Sequence, residues 1–208
     1  MKKVIVSSLS GLLMAQLFCF PVVAYDKDDL NKLISTKQCE KCDLSGANLE
    51  GASLEKAIIS GSNFKGANLK NADLRGVIGS EAVFSSADLS GANFYEAQLS
   101  KGDFSYGNFV KANFGRAFLK KADFTGANLL EANLEGARLR GAIFKKADLT
   151  NANLQRARMQ SSNIRGAIID GADLREAYMR KSKMDSAARK YAKKHGAVFV
   201  KDTDGMCL

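Results

Sequence analysis

From Cys42 to Met184 a large apolar residue returns at every fifth position. These centres fall at 44, 49, 54 and onward to 184, and only Gly79 interrupts them. Two residues before each centre stands a small residue: Ala, Gly, Ser, Val or Cys. Gly46-Ala47-Asn48-Leu49-Glu50 followed by Gly51-Ala52-Ser53-Leu54-Glu55 is a clear stretch. Five is not the period of a helix, whose apolar positions recur at three and four, nor that of a strand, where they recur at two. One large and one small residue per five, separated by Gly, Asn, Asp and Ser, suit a short extended piece followed by a turn. Kept in phase this long, the unit predicts a solenoid in which each coil covers the next.

A second period, of twenty, gives the number of sides. The residue just before a centre is Asp or Asn at most positions, but the series Ile58, Ile78, Gln98, Phe118, Arg138, Arg158, Tyr178 contains neither. The centres Phe64, Phe84, Phe104, Phe124 and Phe144 are spaced in the same way. Twenty residues per coil means four sides. One side is expected to stack phenylalanines in the core, and the deviant series is expected to point outward. Gly79 reads as a local packing defect, a bulge, or a coil in which Ile78 turns inward.

Runs such as Ala122-Asp123-Phe124-Thr125-Gly126-Ala127-Asn128-Leu129 carry the A(D/N)LxX pattern, and in this the chain resembles the pentapeptide-repeat family. The resemblance implies an all-β solenoid, a right-handed quadrilateral parallel β-helix. It also implies a non-enzymatic and often dimeric protein. Four pentapeptides per coil would make about seven coils here. Cys42-Asp43-Leu44-Ser45-Gly46-Ala47-Asn48-Leu49 after a cysteine pair is similar to exported bacterial members, including those of cyanobacteria.

The flanks suggest export and capping. Lys2 and Lys3, the largely apolar stretch Val4 to Phe20, and the small residues Val22-Val23-Ala24 read as a secretory signal peptide over 1–24. An uncleaved anchor is the competing reading. Residues 25–41 are expected to form an N-terminal cap, with Leu30, Leu33 and Ile34 on the apolar face of a helix over Asp28 to Lys37. The repeat β-helix follows over 42–184. The last segment, 185–208, reads as a C-terminal cap helix from Asp185 to His195 and a tail in which Ala197-Val198-Phe199-Val200 can add a strand. A solenoid end needs such cover because it exposes core and unpaired backbone. The C-terminal coil is the alternative place for a homodimer contact.

Export places Cys39, Cys42 and Cys207 in an oxidising compartment, periplasm or, in a cyanobacterium, thylakoid lumen. Cys39 and Cys42 are the disulfide candidates, with free thiols as the other state. A metal site joining them to His195 and Cys207 would have to bridge opposite ends of the rod, so no metal is expected. No cofactor motif and no catalytic constellation emerges. His195, the one histidine, sits among Lys193, Lys194 and Gly196 and reads as a surface residue.

Charge narrows the partner. The whole chain carries a formal net charge of +9. Residues 42–110 hold 5 basic and 8 acidic side chains, whereas 111–184 hold 15 and 7. DNA mimicry toward a topoisomerase, a role known within the family, needs an acidic surface and a cytoplasmic address, so it stands only as the alternative; nucleic acid itself is also disfavoured. In the basic half, the deviant side presents Phe118, Arg138, Arg158 and Tyr178 beside Lys120, Arg140, Gln160 and Arg180. The residues marked as a binding stripe are Phe118, Lys120, Arg138, Arg140, Arg158, Tyr178 and Arg180. They point to a non-catalytic scaffold or binding module whose partner is a protein, an anionic envelope component or a membrane surface. A carbohydrate-cleaving solenoid enzyme is the remote third reading.

Overall fold

The structure is a computed structural model that describes residues 25–199; the segment 1–24, read above as a signal peptide, and Cys207 lie outside the described residues. Parallel backbone pairs join residues twenty apart throughout: Asp43 with Asn63, Asn48 with Asn68, Ser53 with Asp73, Ile58 with Ile78, and so on down the chain. Four such columns make a four-sided coil. Side one contains the centres 44, 64, 84 and their successors. Side two contains 49 onward, side three 54 onward and side four 59 onward.

One unit accounts for most of its own backbone donors. In the unit around Leu49, Asn68 N–H donates to Ala47 O of the preceding coil at 2.9 Å, and Leu49 N–H donates to Asn68 O of the next at 2.7 Å. The corner Gly51 N–H donates to Lys70 O at 2.7 Å, while Ala52 N–H closes the local turn on Leu49 O at 3.0 Å. One N–H per pentapeptide, that of the residue just after the centre, is left out of this scheme, and side four turns on its fate. Each corner residue from Lys41 to Lys181 has a left-handed backbone. Glycine takes this conformation without strain, which explains its frequency at corners, although Lys56, Tyr106 and Arg156 adopt it too.

The small residue and the centre both face inward and are buried along the array, apart from the half-buried Ala52 and Ala167 among the small ones and Met184 at its end. Phe64, Phe84, Phe104, Phe124 and Phe144 stack on side one with centroid separations of 4.9, 5.4, 4.7 and 5.0 Å. Phe94 and Phe114 form a second stack on side three, 4.8 Å apart, meeting the first edge to face. Such geometries suit the ring quadrupole, and their spacing measures the rise of the coil. The small position shrinks to glycine where the rings crowd it most. A Cβ on Gly102 would lie 2.7 Å from Phe104, and one on Gly107 2.6 Å from Phe109. Among the described residues the buried serines are bonded. Ser62 Oγ donates to Cys39 O and accepts from Cys42 N–H, and Ser162 Oγ donates to Ser182 Oγ at 3.1 Å.

Three sequence expectations need correction. Gly79 makes neither a bulge nor an inward turn: Ile78 stays outside, 39% exposed, and pairs without interruption to Ile58 and Gln98. Ile59 and Leu99 from the coils on either side already fill the space, and a Cβ on Gly79 would sit 3.0 and 3.1 Å from them. The coil register also begins before Cys42. Gln38 pairs with Ile58, and Cys39 occupies a centre and is fully buried. Finally, Ile34 does not join the apolar face of the first helix; it is 55% exposed, whereas Leu33 is buried and Leu30 packs against the core.

The helices α1, Lys27–Thr36, and α2, Ser186–Lys194, lie at the two ends of the array. Asp26 caps α1 by accepting from the Asp28 and Asp29 amides. Asp29 ties the helix to the coil, its carboxylate accepting from Asp43 N–H at 2.8 Å. In α2, Ala188 and Ala192 are buried, and the Tyr191 hydroxyl donates to Ala172 O at 3.3 Å. Asp185 occupies the cap position without capping the helix; its carboxylate accepts from Gly166 N–H at 2.9 Å instead. Beyond α2 the chain rejoins side four, where Val198 pairs with Tyr178.

Candidate functional site

The leftover N–H of each pentapeptide separates the sides. Wherever Asp or Asn precedes a centre, its Oδ1 accepts from the backbone N–H two residues on. On side one Asp123 takes Thr125 N–H at 2.8 Å, on side two Asp148 takes Thr150 N–H at 2.9 Å, and on side three Asn113 takes Gly115 N–H at 3.0 Å. Many of these side chains also link coil to coil: Asn113 Nδ2 donates to Asn93 Oδ1 and Asn133 Nδ2 to Asn113 Oδ1, both at 3.1 Å. Three sides thus carry a side-chain ladder that completes most of their turns and is broken only at Ser53, Val83, Ile143, Ile168 and Lys183.

Side four has no such ladder. Its outward column is Ile58, Ile78, Gln98, Phe118, Arg138, Arg158 and Tyr178, and none of these side chains reaches the amide two residues on. The N–H groups of Ser60, Ser80, Ser100, Lys120, Arg140, Gln160 and Arg180 have no acceptor within the described chain.

The lower half of side four brings together the residues marked in the sequence. Phe118, Arg138 and Arg158 are stacked neighbours in one column, continued by Tyr178, and Lys120, Arg140 and Arg180 are exposed beside them. The Arg138 guanidinium lies 4.3 Å from the Phe118 ring centroid, a cation–π contact of ~0.5–1 kcal/mol at an exposed site. A shallow hollow of about 400 Å³ is lined by Glu96, Arg116, Phe118, Gly136, Arg138 and Arg158. Glu96, Arg116 and Gly136 were not marked by the twenty-residue reading, since they belong to the adjacent corner column two residues before the deviant series. The small Gly136 there, between bulky corner neighbours, was the available signal.

The ion pairs show what sets these cations apart. Corner residues pair across coils: Lys101 with Glu81 at 2.7 Å, Arg156 with Glu176 at 2.9 Å, Arg116 with Glu96 at 3.6 Å. The Lys101 ammonium holds Glu81 below the usual carboxylate range, and Arg156 does the same to Glu176. On side three the guanidinium of Arg175, bonding directly to Asp173, pulls that carboxyl down to about 2. Lys120, Arg138, Arg140, Arg158 and Arg180 have no carboxylate within ion-pair distance among the described residues. Other lysines of the rod are unpaired as well. Here the cations are stacked coil on coil, among aromatics and open amides.

At the opposite end of the rod Cys39 and Cys42 form a disulfide with Cα atoms 5.5 Å apart. Asp29 stands beside it, and the three side chains are close enough to share an ion, but with the sulfurs bonded to each other neither is a thiolate ligand. His195 stacks on Tyr191 at 3.8 Å, with Nδ1 2.8 Å from Tyr191 O, far from the cysteine pair along the chain of coils.

The pentapeptide repeats family matches residues 38–78, 80–116, 108–145 and 142–180, in 8 copies. The chain belongs to this family. No curated protein matches it. Among solved structures it is similar to HetL, a pentapeptide repeat protein involved in heterocyst differentiation regulation from the cyanobacterium Nostoc sp. strain PCC 7120, with 26% identity over 76% of this chain and 79% of that one and a TM-score of 0.38. A pentapeptide repeat protein from the Arabidopsis thaliana thylakoid lumen is 29% identical over 57% of this chain and 82% of its own, with a TM-score of 0.29. QnrB1, a plasmid-mediated fluoroquinolone resistance protein, is 21% identical over 76% of this chain and 84% of its own, with a TM-score of 0.38.

Proposed function

We propose that this protein is a non-enzymatic, exported scaffold that holds an anionic partner of the cell envelope on the lower half of side four. One observation carries the reading. Five cations, Lys120, Arg138, Arg140, Arg158 and Arg180, share the single side that lacks the Asp/Asn ladder, and none has a carboxylate partner among the described residues. Like charges one coil apart repel, so a column of them costs stability unless an anion sits between them. Arginine beside an aromatic ring suits planar oxyanions, which it grips with paired donors.

The finer architecture in this reading is a rod of about seven coils, closed by α1 and α2. A homodimer through the C-terminal end would then pack on the outer surface of α2 rather than on open coil. The address, periplasm or thylakoid lumen, rests on the leader-like segment 1–24. Topoisomerase regulation by DNA mimicry is the weaker reading, because this face has the opposite sign.

The mature protein should be retained on vesicles or columns bearing anionic groups, and released by salt. Arg138→Glu combined with Arg158→Glu should abolish retention while leaving the unfolding curve close to wild type. Unchanged retention by the double variant would sink the proposal.

A further inference from the structure

The stripe on side four is one part of a wider basic surface. Over residues 111–184, ten of the fifteen cations lie on side four, on side one, or on the edge where these two sides meet, and one carboxylate, Asp123, lies among them. The edge itself carries Lys121 and Lys181, flanked by Lys120, Arg140 and Arg180 on side four and by Lys183 on side one. Farther from the edge stand Arg138 and Arg158 on side four, and Lys145 and Arg165 on side one. All ten are exposed, and among the described residues none is within ion-pair distance of a carboxylate. Asp123 is engaged with the amide and hydroxyl of Thr125, and Asp185, at the end of side one, with the Gly166 amide.

The rest of the girth is the reverse. Over the same residues, sides two and three and the remaining edges carry five cations and six carboxylates. Lys111, Arg116, Arg156 and Arg175 are all held in ion pairs, which leaves only Lys146. The basic surface also ends along the rod. Over residues 42–110, sides four and one with their shared edge carry Lys65 and Lys101 against Asp43, Glu81 and Asp103. Like charges gathered in this way repel, and no inward packing requires them, since all ten face outward.

We propose that this two-sided face rests on an anionic lipid bilayer, with the edge between sides four and one lying along the membrane surface and sides two and three turned away. The inference rests on the reading of side four as the binding face; it adds side one and names the partner. Shape selects that partner. Two adjacent sides of a four-sided coil meet in a convex ridge, which offers no groove to hold a single polymer strand. A compact anion would touch only a few of the ten cations, and the hollow at Gly136 opens on the opposite edge of side four. A plane meets all ten. The cations farthest from the ridge lie three or four residues along a side, roughly 10–13 Å at the rise of extended chain. They stand roughly 7–9 Å above a plane that meets both sides equally, before their own side chains reach down. That height is comparable to the Debye length of about 8 Å at physiological ionic strength, so the outer cations still feel the surface.

Three matched double variants separate the face from net charge, because each removes two cations. Lys145→Gln with Arg165→Gln strips side one, Arg138→Gln with Arg158→Gln strips side four, and Lys111→Gln with Arg175→Gln alters the far sides. The mature protein and each variant are sedimented with phosphatidylcholine vesicles, with and without phosphatidylglycerol. Polyglutamate, single-stranded DNA and polygalacturonate are then added as competitors at an equal concentration of anionic groups. Thermal melts of all three variants should stay close to wild type, since every replaced side chain is exposed.

Wild type is expected to bind the vesicles that contain phosphatidylglycerol, to be released by salt, and to leave pure phosphatidylcholine alone. Each basic residue near an anionic bilayer strengthens binding about fivefold, so the side-one and side-four pairs should each weaken it roughly 25-fold, and the far pair by less than about twofold. Loss in the side-four pair alone would overturn the two-sided face and leave the side-four site standing. Equal loss in all three would show a response to net charge and overturn the inference. Displacement from the vesicles by any of the soluble polyanions would overturn the bilayer as the partner. No binding of any anionic probe by wild type would overturn both this inference and the function on which it rests.

Discussion

Sides three and four enclose the same core and yet present opposite surfaces. On side three Asp73, Asn93, Asn113, Asn133, Asn153 and Asp173 each close a turn by accepting from the backbone N–H two residues on, and Asn93, Asn113 and Asn133 also link coil to coil. On side four the corresponding column is Ile78, Gln98, Phe118, Arg138, Arg158 and Tyr178, and the turn amides stay open. The inward residues are apolar on both: Leu and Phe on side three, Ile, Leu and Met on side four with Gly79 as the one exception, all buried. The fold therefore depends on the inward residues and tolerates wide variation outside. A side that gives up its ladder also gives up a hydrogen bond per coil, which is a cost the core can absorb and a partner can recover.

The largest effect would test whether the core is indifferent to this contrast. Phe104→Ala on side one removes a ring that touches Phe84, Phe94, Phe109, Phe114 and Phe124. Urea unfolding should show a loss of about 3–5 kcal/mol. Leu139→Ala on side four should cost about 2–5 kcal/mol. A negligible loss at Leu139 would mean that side four is also soft inside, and the comparison would no longer be one of surfaces.

Next in size is the end of the rod. Reducing the Cys39–Cys42 disulfide opens a very short loop, so chain-entropy reasoning puts the loss at about 2 kcal/mol. Thermal melts with and without reductant check this.

The ladder itself is the sharper probe. Asn113→Ala strips a turn cap and two coil-to-coil bonds from side three and should cost about 1–2 kcal/mol. The converse, Gln98→Asn, installs the missing oxygen on side four without changing charge and should raise stability by about 0.5–1 kcal/mol. If Gln98→Asn is destabilising, the open amides of side four are not equivalent to those capped elsewhere, and the contrast between the sides fails.

The smallest effect is set by acid. Asp173, held at about 2 by the Arg175 guanidinium, has an ordinary value of 3.8 when unfolded. Its contribution to stability is complete above about pH 4 and disappears as pH falls through about 2. Because the pair is substantially exposed, the gain is small and screened by salt. Comparing wild type with Asp173→Asn between these pH values should show the two unfolding midpoints converging as Asp173 protonates. A constant gap would separate Asp173 from the acid response.

Much of this was legible in the order of residues. The five-residue period marks which side chains face inward. The twenty-residue period distinguishes the Phe64-to-Phe144 stack from the column that lacks Asp and Asn. Both survive because a solenoid maps sequence separation onto distance: residue i always sits against i plus twenty. What lay beyond the period was not legible. Gly79 left a packing defect, a bulge and an inward-turning Ile78 all open, because its neighbours in space, Ile59 and Leu99, are twenty residues away and fill its place only once the coils are stacked. Cys39 belongs to the first coil although no repeat precedes it, because Gln38 finds Ile58.

The sequence by itself determined the four-sided coil, the core and the stripe of Phe118, Arg138, Arg158 and Tyr178, since each follows from a local pattern repeated in phase. Only the tertiary structure decided which groups remain unsatisfied. Whether the Arg140 amide has an acceptor, or Arg138 a carboxylate, depends on what the coils above and below bring within about 3 Å. A residue's own pentapeptide does not contain that information. Side four acquires its character there, in the turn hydrogen bonds that the other three sides mostly complete and it leaves open in every coil.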